Sequence, residues 1–287
     1  WFNLNRVRDA KSGRKIGATQ VDPVKYAWFS NPDFRRAVSM AIDRDAIIRS
    51  VFFGDAVKNW SLSTAGAGPW YTPSVTGAGL DLDVEGAKKL LDQIGFKDRN
   101  GDGIREDAKG NKISFAIKTN SDNKIRTAMC NFIKDDLAQV GIECVPTPVE
   151  FNTLITNLRQ DFQYDAILLG LQSGVPPDPA MGQNVHRSSG LTHYWNIKQP
   201  APETPAEAEL NHMVDALVAT TDLAERQKVW TAMQNLWNDQ TFVVWLPTQI
   251  MKLPVRDRFG NLHPSAIPHR LLWNIDRVFV KPHASRA

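Results

Sequence analysis

Residues 113–170 read ISFAIKTNSDNKIRTAMCNFIKDDLAQVGIECVPTPVEFNTLITNLRQDFQYDAILLG. The segment opens with a strand pattern, ISFAIKT, in which apolar and polar residues alternate. Residues 123–140 then place Ile125, Met129, Phe132, Ile133, Leu137 and Val140 at helical spacing, and Gly141 stops the helix. IECVPTPV (142–149) is a second strand, and its two prolines suit the edge of a sheet because proline donates no ladder hydrogen bond. FNTLITNLRQ (151–160) reads as a short helix and YDAILLG (164–170) as a buried strand. A β-α-β-α-β order of this kind implies a parallel sheet with helices packed on it, which makes the chain α/β.

Upstream, WFNLN (1–5) alternates like a strand, and residues 6–30 read mostly as loop. Asn31 and Pro32 form an N-cap followed by proline in the first helical position. The helix they open carries Phe34, Ala37, Val38, Ala41 and Ile42 on one face. Asp43 caps a further helix with Ile47, Ile48 and Val51 inward, ended by Gly54, and Asp83 caps another through Ile94. Between them, residues 55–80 are irregular yet carry Trp60, Trp70 and Tyr71, which either fill a core or face a ligand.

Downstream of Gly170 a long loop runs through 205 and carries His193, Tyr194 and Trp195 near its end. Loops of that length in compact domains usually carry function or are disordered, and the closing aromatics favour order. Helices are predicted near 204–219 and 222–238, with Trp230 and Trp237 assigned to packing. TFVVWLP (241–247) reads as a strand, and the tail 251–287 has a short strand at VFV (278–280).

The composition narrows the function. The formal charge is only +3, with no basic cluster, which argues against a nucleic-acid partner. No apolar run approaches the length of a membrane span. Cys130 and Cys144 read as buried thiols, with a disulfide as the alternative. Nucleotide, zinc-protease, nucleophile-elbow and CxxC motifs are all missing from the sequence, and no cofactor is implied. Ser188, His193 and Asp178 form the one trio from which a hydrolase site could be assembled.

One loop looks metal-like. Asp98, Asn100 and Asp102, followed by Gly103 and Ile104, match the opening of an EF-hand loop and make a weak Ca²⁺ candidate. The twelfth position, however, is Lys109 instead of a bidentate glutamate, and a strand follows instead of a helix. The other reading is a tight turn built from residues that tolerate left-handed backbone.

Five segments together resemble the bacterial extracellular solute-binding proteins of family 5, the oligopeptide-, dipeptide- and nickel-binding components of ABC importers. They are FRRAVSMAIDRDAII (34–48), AKKLLDQIGFKDRNGDGIRED (87–107), IKDDLAQVGIECV (133–145), YDAILLG with the following PPDP (164–179), and RQKVWTAMQNLWNDQTFVVWLP (226–247). The order and spacing are those of the family. The resemblance implies a type II periplasmic-binding-protein clamp of two α/β lobes, and assigns this chain mainly to lobe two. On that reading 1–24 is a crossing strand and linker, 25–250 is lobe two, and 251–287 returns to lobe one.

The resemblance further implies that the chain is a piece of a longer parent whose signal peptide and N-terminal part of lobe one lie outside it. The parent would work in the periplasm or outside the cell, associated with the membrane. The partners implied are a small solute, a peptide by default, and an ABC permease. Sensing with the same clamp is an alternative role. Half of the solute contacts would belong to lobe one, so the chain alone is expected to bind weakly. In the family, an acid near the Asp-Pro step after the 164–170 strand can pair with a peptide's α-ammonium, and Asp178 matches it here. Capping a turn before Pro179 is the other role open to Asp178. The family's tryptophan after the glycine is replaced by Leu171-Gln172. The residues expected at the ligand are Asp178, Gln172, Leu171, Trp195, Tyr194, Trp70 and Tyr71.

Overall fold

In a computed structural model, residues 1–9, 13–75, 77, 79–171, 178–264 and 273–281 are described. The chain begins with helices α1 (Pro23–Ser30), α2 (Pro32–Ala41) and α3 (Arg44–Val51), followed by the short strand β1 (Ala56–Val57) and helix α4 (Val84–Gln93). The central unit is β2 (Ser114–Asn120), α5 (Lys124–Ala138), β3 (Glu143–Val149), α6 (Phe151–Thr156) and β4 (Ala166–Ile167). Helices α7 (Gln183–His186), α8 (Pro205–Ala219) and α9 (Leu223–Gln240) come next, then strands β5 (Thr248–Gln249), β6 (Phe259–Gly260) and β7 (Phe279–Val280).

The helix starts are written in the sequence. Asn31, Asp43 and Asp83 each accept a first-turn amide, from Asp33, Ala46 and Gly86. Where a loop was expected over 6–30, α1 occupies its last third. Its signal is the same as for α2: Asp22 accepts the Val24 amide and Pro23 takes the first helical position. Thr204 and Glu207 close a reciprocal capping box on α8.

β2 pairs in parallel with β3 along its whole length, and with β4 at Ile117 and Lys118, giving the order β3-β2-β4. β3 is thus an edge, as Pro146 and Pro148 require. The opening residues add antiparallel pairing on the far side of β4: Phe2 bridges Ala166, and the Asn3 amide donates to the Asp165 carbonyl at 2.8 Å.

The strand expected over 241–247 does not form; only Thr248 and Gln249 pair, with Ala56 and Val57 of β1. Buried arginines take the place of a neighbouring strand. Arg35 donates to the carbonyls of Thr241 (3.0 Å) and Gln240 (2.6 Å), and Arg44 donates to the carbonyl of Trp245 (2.8 Å). The carbonyls of Gln240, Thr241 and Trp245 thereby find donors without a ladder.

Phe2, Phe29, Phe34 and Phe115 interlock at the centre of the main core, with Phe2 stacked on Phe29 at 4.7 Å and edge-on to Phe115 at 5.1 Å. Burial of each ring contributes roughly 1.5–3 kcal/mol. A smaller core of Leu154, Leu158, Tyr164, Ile167, Tyr194 and Ile197 lies under α6 and β4. Cys130 and Cys144 are buried free thiols, and burial pushes both up to about 12. Among the described residues no helix is long and apolar enough to cross a membrane.

Candidate functional site

β3 and β4 flank β2 on opposite sides, so the connection leaving β2 runs to one edge and the connection leaving β3 crosses back to the other. In open parallel sheets ligands bind outside the carboxyl ends of the strands. Here those ends lead into Asn120–Asn123 after β2 and Gly170–Leu171 after β4. Asp122 and Asn120 are linked at 2.5 Å, amide to carboxylate, and the Asn120 carbonyl oxygen in turn accepts Arg126 Nη1 at 2.7 Å. Asn123 caps α5 by accepting the Arg126 amide at 3.0 Å, which fixes where that side chain starts. Its guanidinium lies across Gly170, where a Cβ would fall 2.9 Å from Nη2. Burial holds the Arg126 pKa below its ordinary value, and the charge on Asp122 opposes that shift.

Sequence reasoning did not single out Asn120, Asp122 or Arg126. The signal available was the polar run Asn120-Ser-Asp-Asn123 directly at the carboxyl end of a central parallel strand.

Asp178 caps a 3-10 turn at Pro179–Gly182, accepting the Ala180 amide at 2.9 Å. Its Oδ1 also accepts Arg226 Nη2 at 2.6 Å. Arg226 donates from Nε to the Leu217 carbonyl at 3.1 Å and lies 4.9 Å from the centroid of Trp70. Burial alone would raise the Asp178 carboxyl; the bonds from Arg226 and Ala180 outweigh it and hold the group below its ordinary value.

The other expected residues fall into two groups. Leu171 and Tyr71 are exposed, at 43% and 41%. Trp70, Tyr194 and Trp195 are built into the interior. Trp195, 2% exposed, stacks on Phe242 at 5.0 Å and meets Trp237 edge-on at 4.9 Å. Tyr194 stacks on Trp1 at 5.3 Å, and Trp70 supplies the carbonyl that accepts Trp230 Nε1 at 3.1 Å. An aromatic ring in a long loop satisfies packing as readily as binding, and these three are engaged in packing contacts. Gln172 lies outside the described residues.

The hydrolase trio is not assembled. Ser188 Oγ is 3.4 Å from Asn211 Oδ1, His193 Nδ1 is 2.8 Å from the Val185 carbonyl, and Asp178 is bound to Arg226. In the EF-hand-like loop, oxygens of Asp98, Asp102 and Glu106 lie within 4.8 Å of one another. They are occupied by donors of the turn and by Lys112 beyond it. Asp98 accepts the Gly101 and Gly103 amides, Asp102 accepts the Ile104 amide and Lys112 Nζ, and Glu106 accepts the Arg99 amide and Asn100 Nδ2. Gly101 and Gly103 have φ of 78° and 86°, the left-handed region that this tight turn needs.

Comparison with known proteins places this arrangement. The chain is 26% identical over 257 residues to the oligopeptide-binding protein AppA of Bacillus subtilis, covering 87% of this chain and 44% of that protein. It is 24% identical to the periplasmic alpha-galactoside-binding protein of Rhizobium meliloti, covering 87% and 38%. The solved structure of Bacillus subtilis AppA with a nonapeptide superposes with a TM-score of 0.72 at 22% identity, over 89% of this chain and 48% of that one. The Agrobacterium fabrum periplasmic binding protein MelB with stachyose gives 0.71 at 21% identity, over 91% and 40%. The chain thus spans less than half the length of these relatives, and its fold is that of type II periplasmic binding proteins. The family and these relatives are binding proteins, not enzymes, and its members are extracellular or periplasmic. Residues 2–192, about two thirds of the chain, match the sequence model of the bacterial extracellular solute-binding proteins, family 5 Middle, and the chain belongs to that family.

Proposed function

We propose that the chain forms most of one lobe of the solute-capturing component of an ABC importer, working in the periplasm or outside the cell and delivering to a membrane permease. The observation that carries this reading is the meeting of Arg126 with the side-chain-free Gly170 at the carboxyl ends of the neighbouring strands β2 and β4. An opposing lobe closing on those strand ends buries the solute between them. Asp178, Leu171, Tyr71 and Gln172 are the proposed lobe contacts; Trp70 acts through Arg226, and Tyr194 and Trp195 by holding the loop in place. Peptides are the first ligand class, in line with AppA.

Neutral oligosaccharides are the second. What favours them is the 2.6 Å pair between Asp178 and Arg226, which already satisfies the acid expected to receive a peptide ammonium. The alpha-galactoside-binding relative and the stachyose complex are in line with it.

The test is to purify the full-length protein that carries this chain under native conditions and to release its solute by denaturation for mass spectrometry. A co-purified peptide or oligosaccharide supports the reading and selects the class. If no solute is released and neither class shifts the melting temperature, capture of solutes by this fold is refuted here.

A further inference from the structure

We propose that Arg126 contacts the solute directly and that the group it takes is a hydrogen-bond acceptor oxygen, not a cation. The proposal deepens the solute-binding reading and rests on it.

The two fully buried guanidinium groups, of Arg35 and Arg44, spend their donors on the chain itself, whereas Arg126 is half-buried. Arg35 donates to the carbonyls of Phe29, Gln240 and Thr241. Arg44 donates to the carbonyls of Ser39, Ile42 and Trp245 and to Ser39 Oγ. Arg126 differs. A guanidinium carries five donors, yet its side chain makes one hydrogen bond among the described residues, to Asn120. It has no ion pair within 4.0 Å among the described residues, and residues 172–177 (QSGVPP) contain no acid. A partly desolvated cation with so few partners is suited to an acceptor supplied from outside.

The surroundings are arranged for that. Gly170 leaves the Nη2 side uncovered, since any side chain there would begin 2.9 Å away. Asp122 binds the Asn120 amide nitrogen, so the Asn120 oxygen is turned to Arg126 and the fork is fixed at one end only. Asn120 is therefore a positioning residue. Asp178 is matched by Arg226, and the Asp122 carboxylate is held by the Asn120 amide, so neither acid takes up an Arg126 donor.

An acceptor oxygen has two sources: the carboxylate of a peptide, or a neutral hydroxyl or carbonyl oxygen. Titration of the full-length protein separates them, using trialanine, trialanine amide and maltohexaose against wild type, Arg126→Gln, Arg126→Lys and the surface control Lys228→Gln. Loss of one charge-assisted hydrogen bond predicts about tenfold to a hundredfold weaker binding of the accepted probe by Arg126→Gln, with melting unchanged. Arg126→Lys keeps the charge, loses the fork and falls between. If the oxygen is a carboxylate, amidation weakens wild type and leaves Arg126→Gln unaffected. If it is neutral, amidation changes nothing and the loss appears with whichever probe binds. Equal affinity of wild type, Arg126→Gln and Arg126→Lys for a bound probe overturns the proposal and leaves solute capture standing. Failure of wild type to bind any probe, with no solute co-purified, overturns both.

Discussion

The Arg226 guanidinium is shared between the Asp178 carboxylate, at 2.6 Å, and the indole face of Trp70, 4.9 Å from the ring centroid. It anchors the start of the 178–182 turn to α9 and to the 3-10 segment ending at Trp70. Replacing Arg226 with methionine removes the charge-assisted bond and the cation–π contact, and should cost about 1–3 kcal/mol at neutral pH by urea denaturation. The pH dependence follows from the lowered Asp178 pKa. Its contribution is complete above the ordinary aspartate range, near ~4, and fades as pH falls through the lower folded value. The gap between wild type and Arg226→Met should accordingly narrow on acidification. A gap constant from pH 7 to pH 2 would show that the pair contributes nothing electrostatic.

Glu207 is the more acid-sensitive point. It accepts Gln199 Nε2 at 2.8 Å and the amides of Glu203 and Thr204 at 2.9 and 3.0 Å, with His193 Nε2 3.8 Å away. Burial would raise its pKa; His193, Gln199 and the Glu203 amide prevail and hold it at about 2. The stabilisation is present above the ordinary glutamate value and is lost as pH falls toward about 2. A shift of that size corresponds to roughly 3 kcal/mol or slightly more. Glu207→Gln should lose about this much at pH 7 and approach wild type near pH 2, measured by denaturant titration across the range.

The order of elements could be read because it depends on local chemistry. Asn31, Asp43 and Asp83 cap helices through amides two or three residues away, and Pro146 and Pro148 announce an edge by what they lack. The same grammar at Asp22-Pro23 marked α1 and was available. What could not be read depends on distant partners. The 241–247 run is apolar like a strand, but the carbonyls of Thr241 and Trp245 bond to arginines from α2 and α3. Asp178 was visible as an acid before proline, whereas its engagement with Arg226 was not, because that cation comes from α9. Arg126 gave no signal as one charged residue in a helix; Gly170 and Asn120 give it meaning only once the strands are paired.

Those buried arginines make a direct test of how the 241–247 segment is held. Arg35→Met leaves the carbonyls of Phe29, Gln240 and Thr241 without their side-chain donor, and the apolar replacement supplies none. An unmet buried acceptor costs about 1–3 kcal/mol, so the variant should lose several kcal/mol. Amide hydrogen exchange should also rise locally after α9 before it rises elsewhere. Uniform loss of protection across the chain would indicate that Arg35 supports the whole core equally.

Two glycines separate the demands of the fold from those of the proposed site. At Gly190 a Cβ would sit 2.0 Å from the Asn184 carbonyl oxygen, part of a backbone also held by the Thr192 amide at 3.1 Å. At Gly170 the obstacle is the far end of Arg126, 2.9 Å away, and a side chain can swing aside. Gly190→Ala should therefore destabilise by about 1–3 kcal/mol, as overpacking does. Gly170→Ala should stay within about 0.5 kcal/mol of wild type by denaturation, while weakening solute binding in the full-length protein because the guanidinium is displaced from the strand ends. A Gly170→Ala protein that melts and binds like wild type would mean that the guanidinium has no fixed place above the sheet; equal destabilisation by both substitutions would mean that it is locked there by packing.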